Sequence, residues 1–237
     1  MVAAIVPWNY PLLLLAWKLA PALAAGNTVV VKPSPYTPLS TLRLAEAFGG
    51  FPDGVVSLLT GGADAGEALV VHRGTDMVAF TGSVATGQRI GALCAEQVKR
   101  THLELGGKDA FIVCDVDDSM ELLRTETFGP VAPVQRVGSL DEAIARANAL
   151  PYGLGANVYT HRLDNVLRCM EELEVGAVWI NDPLTDNDAG PFGGTKMSGN
   201  ARELGPEGLE SFRETRHVHL DGHADRKPWW YPYGQES

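Results

Sequence analysis

Along the first 114 residues, short dense apolar runs alternate with longer amphipathic stretches, and each change of rhythm falls near a glycine, proline or serine. Met1 to Val6 is apolar and β-branched and stops at Pro7, which predicts a buried strand. Leu12 to Ala25 reads as a helix closed by Gly26. NTVVVKPS, Asn27 to Ser34, is apolar on both faces, as a parallel strand covered by helices must be. The alternation continues with a helix over Ser40 to Phe48, a strand over Gly54 to Gly61, and a helix over Asp64 to His72 with Asp64 as its N-cap. MVAFTGS opens as a strand, Gly87 to Lys99 reads as a helix, and DAFIVC, Asp109 to Cys114, reads as a strand. This pattern predicts an α/β, doubly wound parallel sheet whose ligands sit at the carboxyl ends of the strands.

After Cys114 the rhythm changes. Ser139-Leu140-Asp141-Glu142 fits a capping box that opens a helix to about Leu150. A second helix is expected over His161 to Glu174, then a strand over Ala177 to Asn181 and a glycine-rich loop over Pro191 to Gly199. No internal repeat or low-complexity linker interrupts this half.

With 45% hydrophobic and 20% charged residues among 237, the chain can bury a sizeable core. A net charge of -10 without any lysine or arginine cluster argues against nucleic acid as a partner, since nothing would neutralise its phosphates. Cys94, Cys114 and Cys169 are widely spaced and form no CxxC, which points away from a disulfide framework or zinc site and towards a reducing compartment, the cytoplasm. The apolar opening lacks a basic lead, is interrupted by Pro7, Pro11 and Lys18, and contains only Leu12 to Trp17 as an unbroken run. A soluble buried helix is expected there, with no membrane span.

Several residues are candidates for chemistry. FTGSVATG, Phe80 to Gly87, puts small residues between a strand and a helix, where backbone N–H groups can hold a pyrophosphate; an ordinary tight turn fits the spacing equally well. Lys32, at the end of a strand, is placed to meet a ribose hydroxyl or an adenosine phosphate, or simply solvent. Glu104 lies between two leucines ahead of a double glycine, and partial burial would raise its pKa towards that of a base working near neutrality; the alternative is a solvent-facing glutamate. Asn9 in PWNYP can donate its amide to a developing oxyanion or stabilise a turn, while Trp8 reads as packing. None of the three cysteines has a nearby histidine or helix start, so each reads as structural. His72, His102 and His161 are single, and the pairs His217/His219 and His219/His223 lack a third ligand, so no metal site is expected.

Six phrases then occur in one order: IVPWNYP, VVVKPS, FTGS, LELGGK, ETFGPV and PFGGTKMSGNARELG. Together they resemble the NAD(P)-dependent aldehyde dehydrogenase superfamily over nearly the whole chain. The resemblance implies a Rossmann-like dinucleotide domain at 1-114, a truncated α/β catalytic-domain remnant at 115-205, and an oligomerisation strand and tail at 206-237. It implies Asn9 as the oxyanion donor and Glu104 as the general base. Lys32, Ser34, Gly62 and Ser83 would bind adenosine and pyrophosphate, with Phe80 and Gly82 in the same FTGS phrase. Ile5 and Trp8 would line the cofactor cleft, and Glu126 and Phe128 would meet the nicotinamide ribose and ring. NAD or NADP would be the cofactor, a small-molecule aldehyde the substrate, and further copies of the chain its partners in a homo-oligomer.

The family mechanism also implies a cysteine thiolate that attacks the aldehyde carbon, in a GQxC-like phrase well after LELGGK and before ETFGPV. Only eighteen positions separate Lys108 from Glu126, and no such phrase stands between them. The expected junction lies at Asp115–Asp118, and the family's leading segment is expected to be missing too. The full oxidation should therefore be impaired. Alternatives are a non-catalytic dinucleotide-binding or assembly module, with RETRHVHL as its assembly strand, and a residual esterase using a remaining thiol. The dinucleotide half should keep a recognisable sheet, while the second half repacks or leans on partner chains. Pro35 stands where many members carry a ribose-binding glutamate, which leaves NAD against NADP open, and Asn200 replaces a small residue with no evident effect.

Overall fold

A computed structural model describes residues 1–108, 116–117, 119–129, 131–182, 186–223, 225 and 227. Strand β1 (Val2–Ile5) is buried at every position. Helix α1 (Pro11–Ala24) begins on a proline, where the missing N–H had no helical partner to lose, and the chain leaves it through Gly26, whose φ of 81° lies in the left-handed region. Then β2 (Val29–Lys32), α2 (Pro38–Leu44) with a short 3-10 turn to Phe48, β3 (Val56–Leu58), α3 (Ala63–Val71), β4 (Met77–Thr81), α4 (Val84–Ala95) and β5 (Arg100–Glu104) follow one another.

The five strands form one parallel sheet in the order β3-β2-β1-β4-β5. Strand alternation divides its core into two layers. Val2, Ala4, Val29, Val31, Met77 and Ala79 pack under α1 and against Phe212, whereas Ala3, Ile5, Val78, Phe80 and Leu103 pack against α3 and α4. The chain winds outwards from β1 to β3 and then crosses back to β4, so the strand order reverses between β1 and β4. A crevice opens at the carboxyl ends of two strands where such a reversal occurs.

The second half is built from smaller pieces: a 3-10 turn at Glu121–Leu123, then α5 (Leu140–Asn148), β6 (Tyr152–Gly153), β7 (Gly155–Val158), α6 (Leu163–Glu172), β8 (Ala177–Ile180), β9 (Thr195–Lys196) and α7 (Gly205–Glu210). β6 pairs antiparallel with β9, and β7 pairs parallel with β8. Ser139 caps α5 by accepting from the Glu142 N–H at 3.2 Å, and the Glu142 carboxylate reaches back to the Gly138 N–H at 2.8 Å.

Several expectations change. Gly62, with no side-chain cap, precedes α3, and Asp64 lies inside its first turn. Helix α4 starts at Val84 and not at Gly87, because Ser83 caps it by accepting from the Thr86 N–H at 3.3 Å. Strands β5, β6 and β7 were not anticipated. The expected strand at 109–114 lies outside the described residues, and residues 213–220 form no strand within this chain. No helix among the described residues is long and apolar enough to cross a membrane.

Candidate functional site

At the reversal point the chain leaves β1 through Pro7 and Trp8, and leaves β4 through Gly82 and the Ser83 cap of α4. A cleft of about 900 Å³ lies there. Asn9, Gly82, Ser83, Glu104, Glu126 and Phe128 line it together with Trp8. Ile5 and Phe80 lie beneath, buried in the sheet. Trp8 is half exposed and meets the Phe128 ring edge-on at 5.5 Å, so it forms part of the cleft wall and is not internal packing. Glu126 accepts from the Gly107 N–H at 3.2 Å, and a Cβ on Gly106 would fall 2.2 Å from its other oxygen. Gly106 thus leaves room for the Glu126 carboxylate, while a Cβ on Gly107 would press on Leu154 at 2.8 Å.

Lys32, Ser34 and Gly62 form a separate group at the ends of β2 and the start of α3. Lys32 is buried, its ammonium donates to the Pro33 carbonyl at 3.3 Å, and a Cβ on Gly66 would touch its methylenes at 3.5 Å. Burial lowers its pKa, and the negative charge of Asp64 opposes that shift. A smaller cavity of about 520 Å³ beside Met1, Asp76 and Arg100 lies at the opposite, amino end of the strands.

Glu104 ends β5 and is buried, with neither oxygen hydrogen-bonded among the described residues. Its carboxyl is pushed up to about 9, first by burial and then by the charge of Glu203; Lys18, Arg202 and the Gly194 backbone act in the opposite sense. A Cβ on Gly193 would sit 2.7 Å from Glu104 Oε1, so the glycine-rich loop seals the carboxyl from that side. Burial at this glutamate is real, and the solvent-facing alternative is excluded.

Sequence reading missed the groups behind Glu104. Lys18, read as an interruption of an apolar helix, is fully buried, donating to Glu203 and to Thr81 Oγ1 at 2.5 Å. Burial raises the Glu203 pKa, but Lys18 and His102 outweigh it and hold the carboxylate below its usual range. His102 Nε2 stands 3.6 Å from Glu203 Oε1, longer than a hydrogen bond, and its ring packs on Phe212 at 5.2 Å between centroids. The available signal was its spacing, since Lys18 falls on the same face of α1 as Leu15, Leu19 and Ala22. Asn200 also acquires a function: its side-chain oxygen accepts from the Leu103 N–H at 3.1 Å on the free edge of β5.

Two thiols are described. Cys94 is buried on the core face of α4 and Cys169 is buried on α6, and burial raises the pKa of both. Neither lines the cleft.

A parallel sheet with its order reversed at a helix start, a capping serine, a buried lysine at the end of the second strand and an aromatic wall fit a dinucleotide, whose phosphates favour a helix N-terminus. The class is an α/β dinucleotide-dependent oxidoreductase. The chain belongs to the aldehyde dehydrogenase family, whose sequence profile matches residues 1–118 and again 112–218. It is 33% identical over 346 residues to the chloroplastic betaine aldehyde dehydrogenase of Amaranthus hypochondriacus, covering 98% of this chain and 69% of that protein. To retinaldehyde dehydrogenase 3 of Mus musculus it is 33% identical over 328 residues, covering 91% of this chain and 64% of the relative, less than two thirds of its length. The crystal structure of betaine aldehyde dehydrogenase from Staphylococcus aureus in complex with NAD+ superposes with a TM-score of 0.91 at 28% identity, covering 98% of this chain and 70% of that one. An alignment of 346 positions against a chain of 237 leaves at least a hundred positions of the relative without a counterpart. The two profile segments meet at 112–118, around the expected junction at Asp115–Asp118.

Proposed function

We propose that this chain holds NAD or NADP across the carboxyl ends of β1, β2 and β4, presents the cofactor to an aldehyde beside Asn9 and Glu104, and does not complete the oxidation to a carboxylic acid by itself. Lys32, Ser34 and Gly62 would take the adenosine end, Gly82 and Ser83 the pyrophosphate at the start of α4, and Glu126, Trp8 and Phe128 the nicotinamide end. When bound, the dinucleotide would supply the hydride acceptor. Asn9 would offer its amide to the carbonyl oxygen, and Glu104 would take a proton from water.

The observation that carries the reading is where the sulfur sits. Cys94 and Cys169 are buried away from the cleft with raised pKa values, so neither offers the thiolate that hydride transfer from an aldehyde requires. The exposure of Val218 and Leu220 favours assembly with further copies of the chain. A reducing compartment such as the cytoplasm suits the unpaired thiols.

The test is to give the purified chain NAD+ or NADP+ and a panel of aldehydes. Dinucleotide should quench tryptophan fluorescence while no NADH or NADPH forms. Aldehyde-dependent reduction, with a cysteine peptide trapped as a thioester in the mass spectrum, would overturn the impaired-enzyme reading. Absence of any dinucleotide binding would overturn the cleft assignment.

A further inference from the structure

We infer that Asn200 is a positioning residue for Glu104: by gripping Leu103 it keeps the glycine-rich loop pressed on the edge of β5 and so keeps bulk water off the buried carboxyl. This deepens the reading of Glu104 as a base and rests on it.

The backbone of β5 turns its polar groups alternately to two sides. The Gly82 N–H donates to the Glu104 carbonyl at 3.0 Å, so the main chain of Glu104 faces β4. Leu103 and Leu105, on either side of it, face the loop instead. The Leu105 N–H donates to the Ser198 carbonyl at 2.9 Å, the Asn200 N–H donates to the Leu103 carbonyl at 3.0 Å, and the Leu103 N–H donates to the Asn200 side-chain oxygen at 3.1 Å. Both polar groups of the Leu103 main chain therefore end on Asn200. Any residue at 200 offers the backbone bond, but the second bond needs a side-chain acceptor of this length.

The same loop supplies the cover. Gly193 lies against the carboxyl, since a Cβ on it would meet Glu104 Oε1 at 2.7 Å, and it lies against the residue next to Asn200, since that Cβ would also meet the Ala201 carbonyl at 2.3 Å. Arg202 donates to the Gly194 and Ala201 carbonyls, each at 2.7 Å, which ties the cover to the clasp. A shift at 200 thus passes through Ala201 to Gly193 and Gly194. The charges acting on Glu104 come from Glu203 and Arg202 after the loop and from Lys18 on α1, and His102 shares its face of β5. Replacing the uncharged Asn200 alters none of these, so a change in Glu104 reports the entry of water.

Carbon-13 NMR of the Glu104 carboxyl in the full chain, titrated without dinucleotide or aldehyde, tests this apart from the cofactor reading. The carboxyl starts at about 9, with burial as the first cause. In Asn200→Ala the midpoint should fall by about one unit or more as water enters, because desolvation is what raised it. Asn200→Asp keeps an acceptor for the Leu103 N–H and should hold the midpoint at or above that of the unmodified chain. Gly199→Ala, whose Cβ would meet the Leu103 carbonyl at 2.1 Å, should force the loop off β5 and lower the midpoint at least as far as Asn200→Ala does. Asn200→Ser serves if Asn200→Ala does not fold. A merely structural role would lower the melting temperature and leave the midpoint in place, and that result would overturn the inference alone. An ordinary carboxylate midpoint in the unmodified chain would overturn the base reading with it.

Discussion

Two regions of this molecule use the same kind of strand pairing with different results. In residues 2–104, β1 is flanked on both sides and covered on both faces, and all four of its residues are buried. In the second half, β7 and β8 also pair parallel but have no third strand among the described residues, and every residue of β8 is only half buried. Parallel strands depend on neighbours and covering helices on both faces. The comparison with relatives leaves at least a hundred positions of the relative without a counterpart, and the two family-profile segments meet at 112–118, after β5. The contrast assigns the shortage of cover to the β7–β8 side and leaves the dinucleotide sheet nearly whole.

The largest effect expected from this contrast is in hydrogen exchange. Amides of β1, β2 and β4 should exchange only on global unfolding, and those of β7 and β8 about 100-fold faster or more. Equal rates would abolish the distinction between the halves. Next, Lys18→Met strips the buried Glu203 of its counter-ion and should lower the stability of the sheet half by about 3–5 kcal/mol in urea titration. A loss below about 1 kcal/mol would mean that water reaches the pair. Smallest is Asn200→Ala, which leaves the Leu103 N–H without its side-chain acceptor and should cost about 1 kcal/mol, read as a drop in melting temperature. An unchanged melting temperature would show that the second half does not brace β5.

The same contrast explains which parts were legible in the sequence. β1, β2 and β4 announced themselves because both faces are apolar. β5 did not, since the side chains it turns inward at positions 102 and 104 are a histidine and a glutamate, and its burial is satisfied by charges contributed from α1 and from the loop before α7. Lys18 looked like a flaw in an apolar helix for the same reason: its counter-ion is 185 residues away in sequence. The motif residues were recognisable one by one, and the structure brings Trp8, Asn9, Ser83, Glu104, Glu126 and Phe128 around one cleft. Residues 213–220, expected from the sequence to be an assembly strand, form no strand within this chain. β6 and β7 were passed over because glycine and tyrosine around Leu154 give neither a strand nor a helix period.

The segment 198–200 lies flat along β5: Ser198 accepts from the Leu105 N–H, the Asn200 N–H donates to the Leu103 carbonyl, and Gly199, at φ 126°, passes so close that a Cβ would meet that carbonyl at 2.1 Å. An outer strand offering bare amides is where a neighbouring molecule would graft its own backbone. Here that margin is already taken. Among the described residues, β3, only three residues long, is then the other outer strand of the large sheet.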